Sequence, residues 1–156
     1  PRSTLITPNI PEAEVLSGMA IASLEDVETA ASLIADRCIA VWENEPAFAD
    51  AAPSVPAILI KGGHGVGEPD AADDYLRMAS GESVWLRGKR ITNDNTHGTG
   101  CSLSSAIACG LARVFAVDVA VRDAKAYVAG ALPARLGPPR PHVAVRRPDA
   151  LLAMPC

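Results

Sequence analysis

Asn95-Thr96-His97-Gly98-Thr99-Gly100-Cys101 sets two glycines, two hydroxyls and a thiol directly before a run of small residues. From Ser102 onward, apolar residues fall at 103, 106, 107, 110 and 111. That spacing is the stripe of a helix with one buried face. Two glycines can take backbone angles closed to other residues, so that consecutive N–H groups converge on one point. A helix N-terminus adds unpaired donors and the positive end of its dipole, which together favour an anion. The same field favours thiolate over thiol at Cys101. This is chemistry suited to phosphoryl transfer. The segment has neither the Gly-Lys-Ser/Thr of a Walker A loop nor the glycine spacing of a dinucleotide fingerprint. A cysteine at a helix start also serves as a small packing residue.

Two other segments have polar residues just beyond apolar runs. In Asn9-Ile10-Pro11-Glu12, Asn9 and Glu12 have the spacing of a helix-capping pair, which leaves room for a second, ligand-binding role. Lys61 follows Ile58-Leu59-Ile60 and precedes Gly62-Gly63-His64-Gly65, either as a solvated charge after a strand or as a cation beside an anion. His64 and His97 are explained as well by turn-stabilising hydrogen bonds as by ligand contact.

The elements that must position these residues follow from local signals. Thr4 to Thr7 reads as a short strand broken by Pro8-Asn9, and a short helix opens at Asn9 and ends at Gly18. Ser23-Leu24-Glu25-Asp26 starts a second helix, with Leu24, Val27, Ala31, Ile34 and Cys38 at helical spacing. Residues 42–56 are rich in Ala and Pro and are expected to be an irregular surface excursion. Ala57-Ile58-Leu59-Ile60 has the unbroken apolar character of a strand buried on both faces. Asp74 to Arg77, a Ser80-Gly81 turn and Val84 to Leu86 predict an antiparallel pair at a sheet edge. A last amphipathic helix starts near Asp118, with Val121, Ala124, Val128 and Ala131 on one face, and the Pro-rich stretch from 133 lacks periodicity. This order predicts an α/β fold with a largely parallel sheet. Ligands gather at the C-terminal strand ends of such sheets, so Asn9, Lys61 and Cys101 are expected to share one crevice.

Bulk properties exclude several functions. The chain has 156 residues, 49% of them hydrophobic, which suits one domain with a real core. A net charge of -4 and 4% aromatic residues argue against a nucleic-acid surface. No apolar stretch is long enough to span a bilayer. Cys38, Cys101, Cys109 and Cys156 show no CxxC spacing, so no zinc or disulfide framework is expected and the reducing cytoplasm is the expected compartment.

Thr7-Pro8-Asn9-Ile10-Pro11-Glu12-Ala13-Glu14, Ile60-Lys61-Gly62-Gly63-His64 and the 95–101 segment occur in that order. Together they closely resemble the hydroxymethylpyrimidine and phosphomethylpyrimidine kinases of thiamine biosynthesis, in the ribokinase-like superfamily. The resemblance runs from about Thr4 to Leu132. Cys101 in place of the aspartate of many sugar kinases points to the pyrimidine branch. The resemblance implies a ribokinase-like three-layer sandwich and ATP-dependent phosphorylation of 4-amino-5-hydroxymethyl-2-methylpyrimidine, then of its monophosphate. It implies that Gly98, Thr99 and Gly100 form the anion hole and that Cys101 is the base. It further implies that Asn9 and Glu12 hold the magnesium–phosphate assembly, and that Lys61 lies near the ATP phosphates. ATP and Mg2+ are the implied cofactors, and a homodimer through the 74–86 hairpin is an implied partner.

The chain begins at Pro1, already close to a core strand, so an N-terminal portion of the kinase domain is expected to be missing. In the family that portion supplies most of the acceptor pocket, and little independent activity is therefore expected. Residues 1–132 are read as the C-terminal portion of the kinase domain, and 133–156 as a divergent irregular tail. The competing readings are a pyridoxal-type vitamin kinase, a non-catalytic nucleotide-binding remnant and an interaction module.

Overall fold

A computed structural model of the chain describes residues 3–46, 55–62, 66–68, 70–89 and 99–131. The chain divides into two units, Pro1–Arg90 and Ile91–Cys156.

In the first unit, three local signals set the helices. Asn9 caps α1 (Ile10–Ser17), and Gly18 ends it in the left-handed region at φ 71°, donating its N–H to the Glu14 carbonyl. Arg37 Nη1 reinforces that end by donating to the Leu16 carbonyl at 2.9 Å. Ser23 caps α2 (Leu24–Asn44) through a full capping box with Asp26. The expectation of irregular structure from residue 42 is corrected here: α2 runs on to Asn44, and Trp42 is buried. Trp42 lies four residues beyond Cys38, which lies four beyond Ile34, so it extends the stripe already in place. Residues 47–54 lie outside the described residues.

The four strands are β1 (Leu5–Ile6), β2 (Ala57–Ile60), β3 (Asp74–Arg77) and β4 (Ser83–Leu86), in sheet order β1-β2-β3-β4. β1 and β2 are parallel, with Leu5 beside Ala57 and Ile6 beside Ile58. β2–β3 and β3–β4 are antiparallel. The fold is α/β as expected, but the described sheet is mixed rather than largely parallel. Among the described residues, no helix lies between β2 and β3 or between β3 and β4 to return the chain to the starting edge, and both connections reverse direction. The expected hairpin is present, turning at Gly81 with φ 92°.

All four residues of β2 are buried, as the unbroken apolar run predicts. Ile58, Ile60 and Tyr75 pack with Ile10, Ala13, Val27, Ala30, Ala31, Ile34 and Ala35 of the two helices. The alanines let the backbone of α2 come close to the sheet. Leu59 and Leu76 alternate to the opposite face and are also fully buried. At the edge, Trp85 donates Nε1–H to Glu28 Oε1 of α2 at 2.8 Å and stacks obliquely on Tyr75, ring centres 4.9 Å apart.

The second unit is a helix pair, α3 (Thr99–Ala112) and α4 (Val117–Ala131). Leu103 and Ile107 are buried, as are Ala120, Val121 and Ala124. Gly110 lets the helices approach: a Cβ there would lie 2.9 Å from Ala120 Cβ. The link between them is a Schellman turn. Val114 N–H donates to the Leu111 carbonyl and Phe115 N–H to the Gly110 carbonyl. Among the described residues, no helix is long and apolar enough to cross a membrane. The stretch from 133 to 156 lies outside the described residues.

Candidate functional site

The first unit brings Asn9, Glu12 and Lys61 together. The parallel pairing of β1 and β2 continues past the strand ends, where Lys61 N–H donates to the Pro8 carbonyl at 2.9 Å and Asn9 bridges to Lys61. The two residues thus stand side by side just beyond neighbouring strand ends, as the sequence predicts. At Asn9 the extended chain gives way to α1, which the Asn9 side chain caps. Glu12 N–H donates to Asn9 Oδ1 and Asn9 N–H donates to Glu12 Oε2, each at 2.8 Å. The capping reading is therefore correct. The box employs Oδ1 of Asn9 and Oε2 of Glu12, so Glu12 Oε1 and the Asn9 carboxamide nitrogen lie outside it. Glu12 is exposed and Asn9 half-buried. An exposed carboxylate oxygen suits Mg2+, which takes hard oxygen donors and keeps several waters. Among the described residues, no group of three or more His, Cys, Asp or Glu is arranged to hold a metal. Glu12 would serve as a single carboxylate beside substrate oxygens.

Beyond Lys61 the chain is gripped by the start of β3. Gly62 N–H donates to Asp74 Oδ1 at 3.0 Å in a buried position. A Cβ on Gly62 would fall 1.7 Å from the Asp73 carbonyl oxygen, so only glycine fits against that strand. Asp73 in turn accepts from Gly88 N–H at 2.8 Å and from Arg87 Nη1 at 2.6 Å. Both aspartates are buried, at 9% and 8% exposure. Neither is conspicuous in the sequence; the available signal is two adjacent acids opening a strand that is otherwise apolar on its buried face. His64, with Gly63 and Gly65, lies outside the described residues.

In the second unit, Thr99, Gly100 and Cys101 form the first turn of α3. Gly98 and His97 lie outside the described residues. Gly100 has helical backbone and is absent from the positive-φ residues, so its expected use of unusual angles is corrected. The donors that could meet an anion are instead those of the helix's opening turn, whose N–H groups have no acceptor within the helix. Acids stand in the first turns of α1, α2 and α4, but none stands in that of α3. The positive end of its dipole is therefore not offset by its own side chains. Ser104 Oγ donates back to the Gly100 carbonyl at 3.1 Å. Cys101 is exposed. All three described cysteines are free thiols. Burial pushes the Cys38 thiol up, which sets it apart from a thiolate role.

Solved structures of like fold are ribokinase-like kinases. Staphylococcus aureus pyridoxal kinase in complex with AMP-PCP matches with a TM-score of 0.67 and 30% identity, over 84% of this chain and 42% of that one. A phosphomethylpyrimidine kinase from Clostridium difficile matches with a TM-score of 0.56 and 31% identity, over 83% and 43%. The described α/β elements are thus part of a ribokinase-like fold. Within that class the chain belongs to the phosphomethylpyrimidine kinase family, whose profile matches residues 1–146. A hydroxymethylpyrimidine/phosphomethylpyrimidine kinase from Streptomyces coelicolor is 43% identical over 134 residues, 86% of this chain and 42% of that protein. One from Haemophilus influenzae is 30% identical over 85% of this chain and 44% of its own length. The chain spans less than half the length of the curated relatives it matches.

Proposed function

We propose that this chain is the nucleotide-phosphate portion of a hydroxymethylpyrimidine/phosphomethylpyrimidine kinase. The complete enzyme transfers the γ-phosphoryl group of ATP to the hydroxymethyl oxygen of 4-amino-5-hydroxymethyl-2-methylpyrimidine, then a second group to the monophosphate, towards thiamine diphosphate. The observation that carries this reading is the 43% identity to a relative of that name across nearly the whole chain. The AMP-PCP in a neighbouring kinase structure supports ATP as the donor.

Phosphoryl transfer asks a protein mainly for positioning and charge stabilisation. The opening turn of α3, with Gly98, Thr99 and Gly100, is assigned to the charge on the moving group; backbone donors aimed at such charge are each worth roughly 10²–10³ in rate. Cys101 is assigned as the base that takes the alcohol proton as the oxygen bonds to phosphorus and ADP leaves. Lys61 is assigned to the ATP phosphates, and Asn9 and Glu12 are the residues that would support Mg2+, which would neutralise phosphate charge. Residues 1–132 are read as the C-terminal portion of the kinase domain, a homodimer as the assembly, and the cytoplasm as the setting.

The test is a chimera in which this chain replaces the matching part of the Streptomyces coelicolor relative. It should phosphorylate both the hydroxymethylpyrimidine and its phosphate, while the chain alone shows little turnover. A folded but inert chimera overturns the reading. The TM-score of 0.67 to a pyridoxal kinase favours a second reading, and a chimera that prefers pyridoxal would establish it.

A further inference from the structure

We propose that Asp74 is a positioning residue for Lys61: by holding Gly62, it fixes the direction in which the Lys61 ammonium meets nucleotide phosphates. This inference rests on the nucleotide role proposed above for Lys61. The Lys61–Gly62 corner is held from both sides. On one side, Lys61 N–H is tied to the Pro8 carbonyl at 2.9 Å. On the other, Gly62 N–H is tied to Asp74 Oδ1 at 3.0 Å, and the Asp73 carbonyl occupies the space where a side chain on Gly62 would stand. Asp74 is 8% exposed and its bond to Gly62 is buried, so the bond is shielded from competing water. A lysine has a long stem with many rotamers, and its reach is set by where its Cα is held. Asp74 lies thirteen residues from Lys61 along the chain, on a strand that pairs antiparallel with β2. Its proposed route to the ammonium is the Gly62 backbone.

The readout is the ratio of the dissociation constants for AMP and MgATP, measured on the purified chain. Wild type should prefer MgATP. Asp74→Ala should lose roughly tenfold of that preference, the scale of one hydrogen bond to a charged group. Lys61→Met should lose a similar factor, and the double variant should lose no more than either alone. Asp74→Asn keeps an oxygen acceptor for Gly62 N–H and should retain most of the preference. Asp74→Glu keeps the charge but displaces the acceptor by a methylene, and should retain less than Asp74→Asn. That order decides the matter even where Asp74→Ala does not fold. The reverse order, independent losses in the double variant, or an unchanged preference in Asp74→Ala overturns the assignment. A wild-type chain that binds AMP and MgATP equally overturns the nucleotide role of Lys61 itself, and with it this inference.

Discussion

Asn9 and Glu12 hold each other through two reciprocal 2.8 Å hydrogen bonds, each side chain accepting from the other's backbone N–H. The same two side chains are assigned to the magnesium–phosphate assembly, so structural and ligand roles overlap. They can be separated. Glu12→Gln keeps the capping box, because a carboxamide oxygen also accepts from Asn9 N–H. It should leave stability within about 0.5 kcal/mol of wild type but weaken the Mg2+-dependent part of ATP binding. Asn9→Ala removes the cap and should cost about 1 kcal/mol in chemical denaturation. A Glu12→Gln chain that binds MgATP as wild type does would leave Glu12 as a cap alone.

The base role proposed for Cys101 makes the two transfers respond unequally to its loss. The alcohol must lose a proton, whereas the monophosphate acceptor is already anionic. In the chimera, Cys101→Ala should slow phosphorylation of the alcohol by about 100-fold or more and affect the phosphate step much less. Steady-state rates with each acceptor measure this. Equal losses would point to packing or positioning instead.

Val114 occupies the residue of the α3 Schellman turn that glycine usually fills. Its φ is 63°, in the left-handed region, and its side chain is 91% exposed. A β-branched residue there costs about 1–2 kcal/mol and makes no buried contact in return. Val114→Gly should therefore raise stability by about 0.5–1 kcal/mol once the entropy of the unfolded glycine is counted. A thermal melt of the two chains checks it; an unchanged or lower midpoint would contradict the strain.

Gly62 gives the opposite expectation. Gly62→Ala drives a methyl group into the Asp73 backbone, which has no side-chain freedom with which to yield. It should cost about 3 kcal/mol or prevent folding, read as soluble yield and denaturant midpoint.

Asp26 predicts an acid limb. Its carboxylate accepts from Ala22 N–H, from the Ser23 side chain and from Ser23 N–H, and the Ala22 bond foremost holds it below the usual aspartate range. A group with a lowered folded pKa stabilises the fold above its unfolded pKa, and that contribution disappears as pH falls through the folded value. Wild type should thus be more stable than Asp26→Asn near neutrality, with the difference shrinking below about pH 4. Urea melts of both chains across that range would test it, and a gap that is constant with pH would count against it.

Features that depend on a few neighbouring residues are legible in the sequence. The caps at Asn9 and Ser23, the stop at Gly18 and the turn at Gly81 all lie where the local pattern puts them. The unbroken run in β2 announces burial on both faces but says nothing about the direction of its neighbours, so the antiparallel pairing with β3 is not visible there. Trp42 is obscured by the Ala and Pro residues that follow it. At the site, the neighbouring strand ends foretell that Asn9 and Lys61 meet. The grip of Asp74 on Gly62 is different, because it joins residues twelve apart through a strand register that no local motif encodes.

The two tryptophans both belong to the first unit: Trp42 is buried on α2, and Trp85 is bonded to Glu28 on that same helix. Indole fluorescence from this protein is therefore a gauge of α2 seating on its sheet, with the Glu28 carboxylate beside one emitter. The other unit contains no indole, only the phenol of Tyr127. An unfolding curve recorded at tryptophan wavelengths would report on the first unit, whereas circular dichroism would also register the helices of the second.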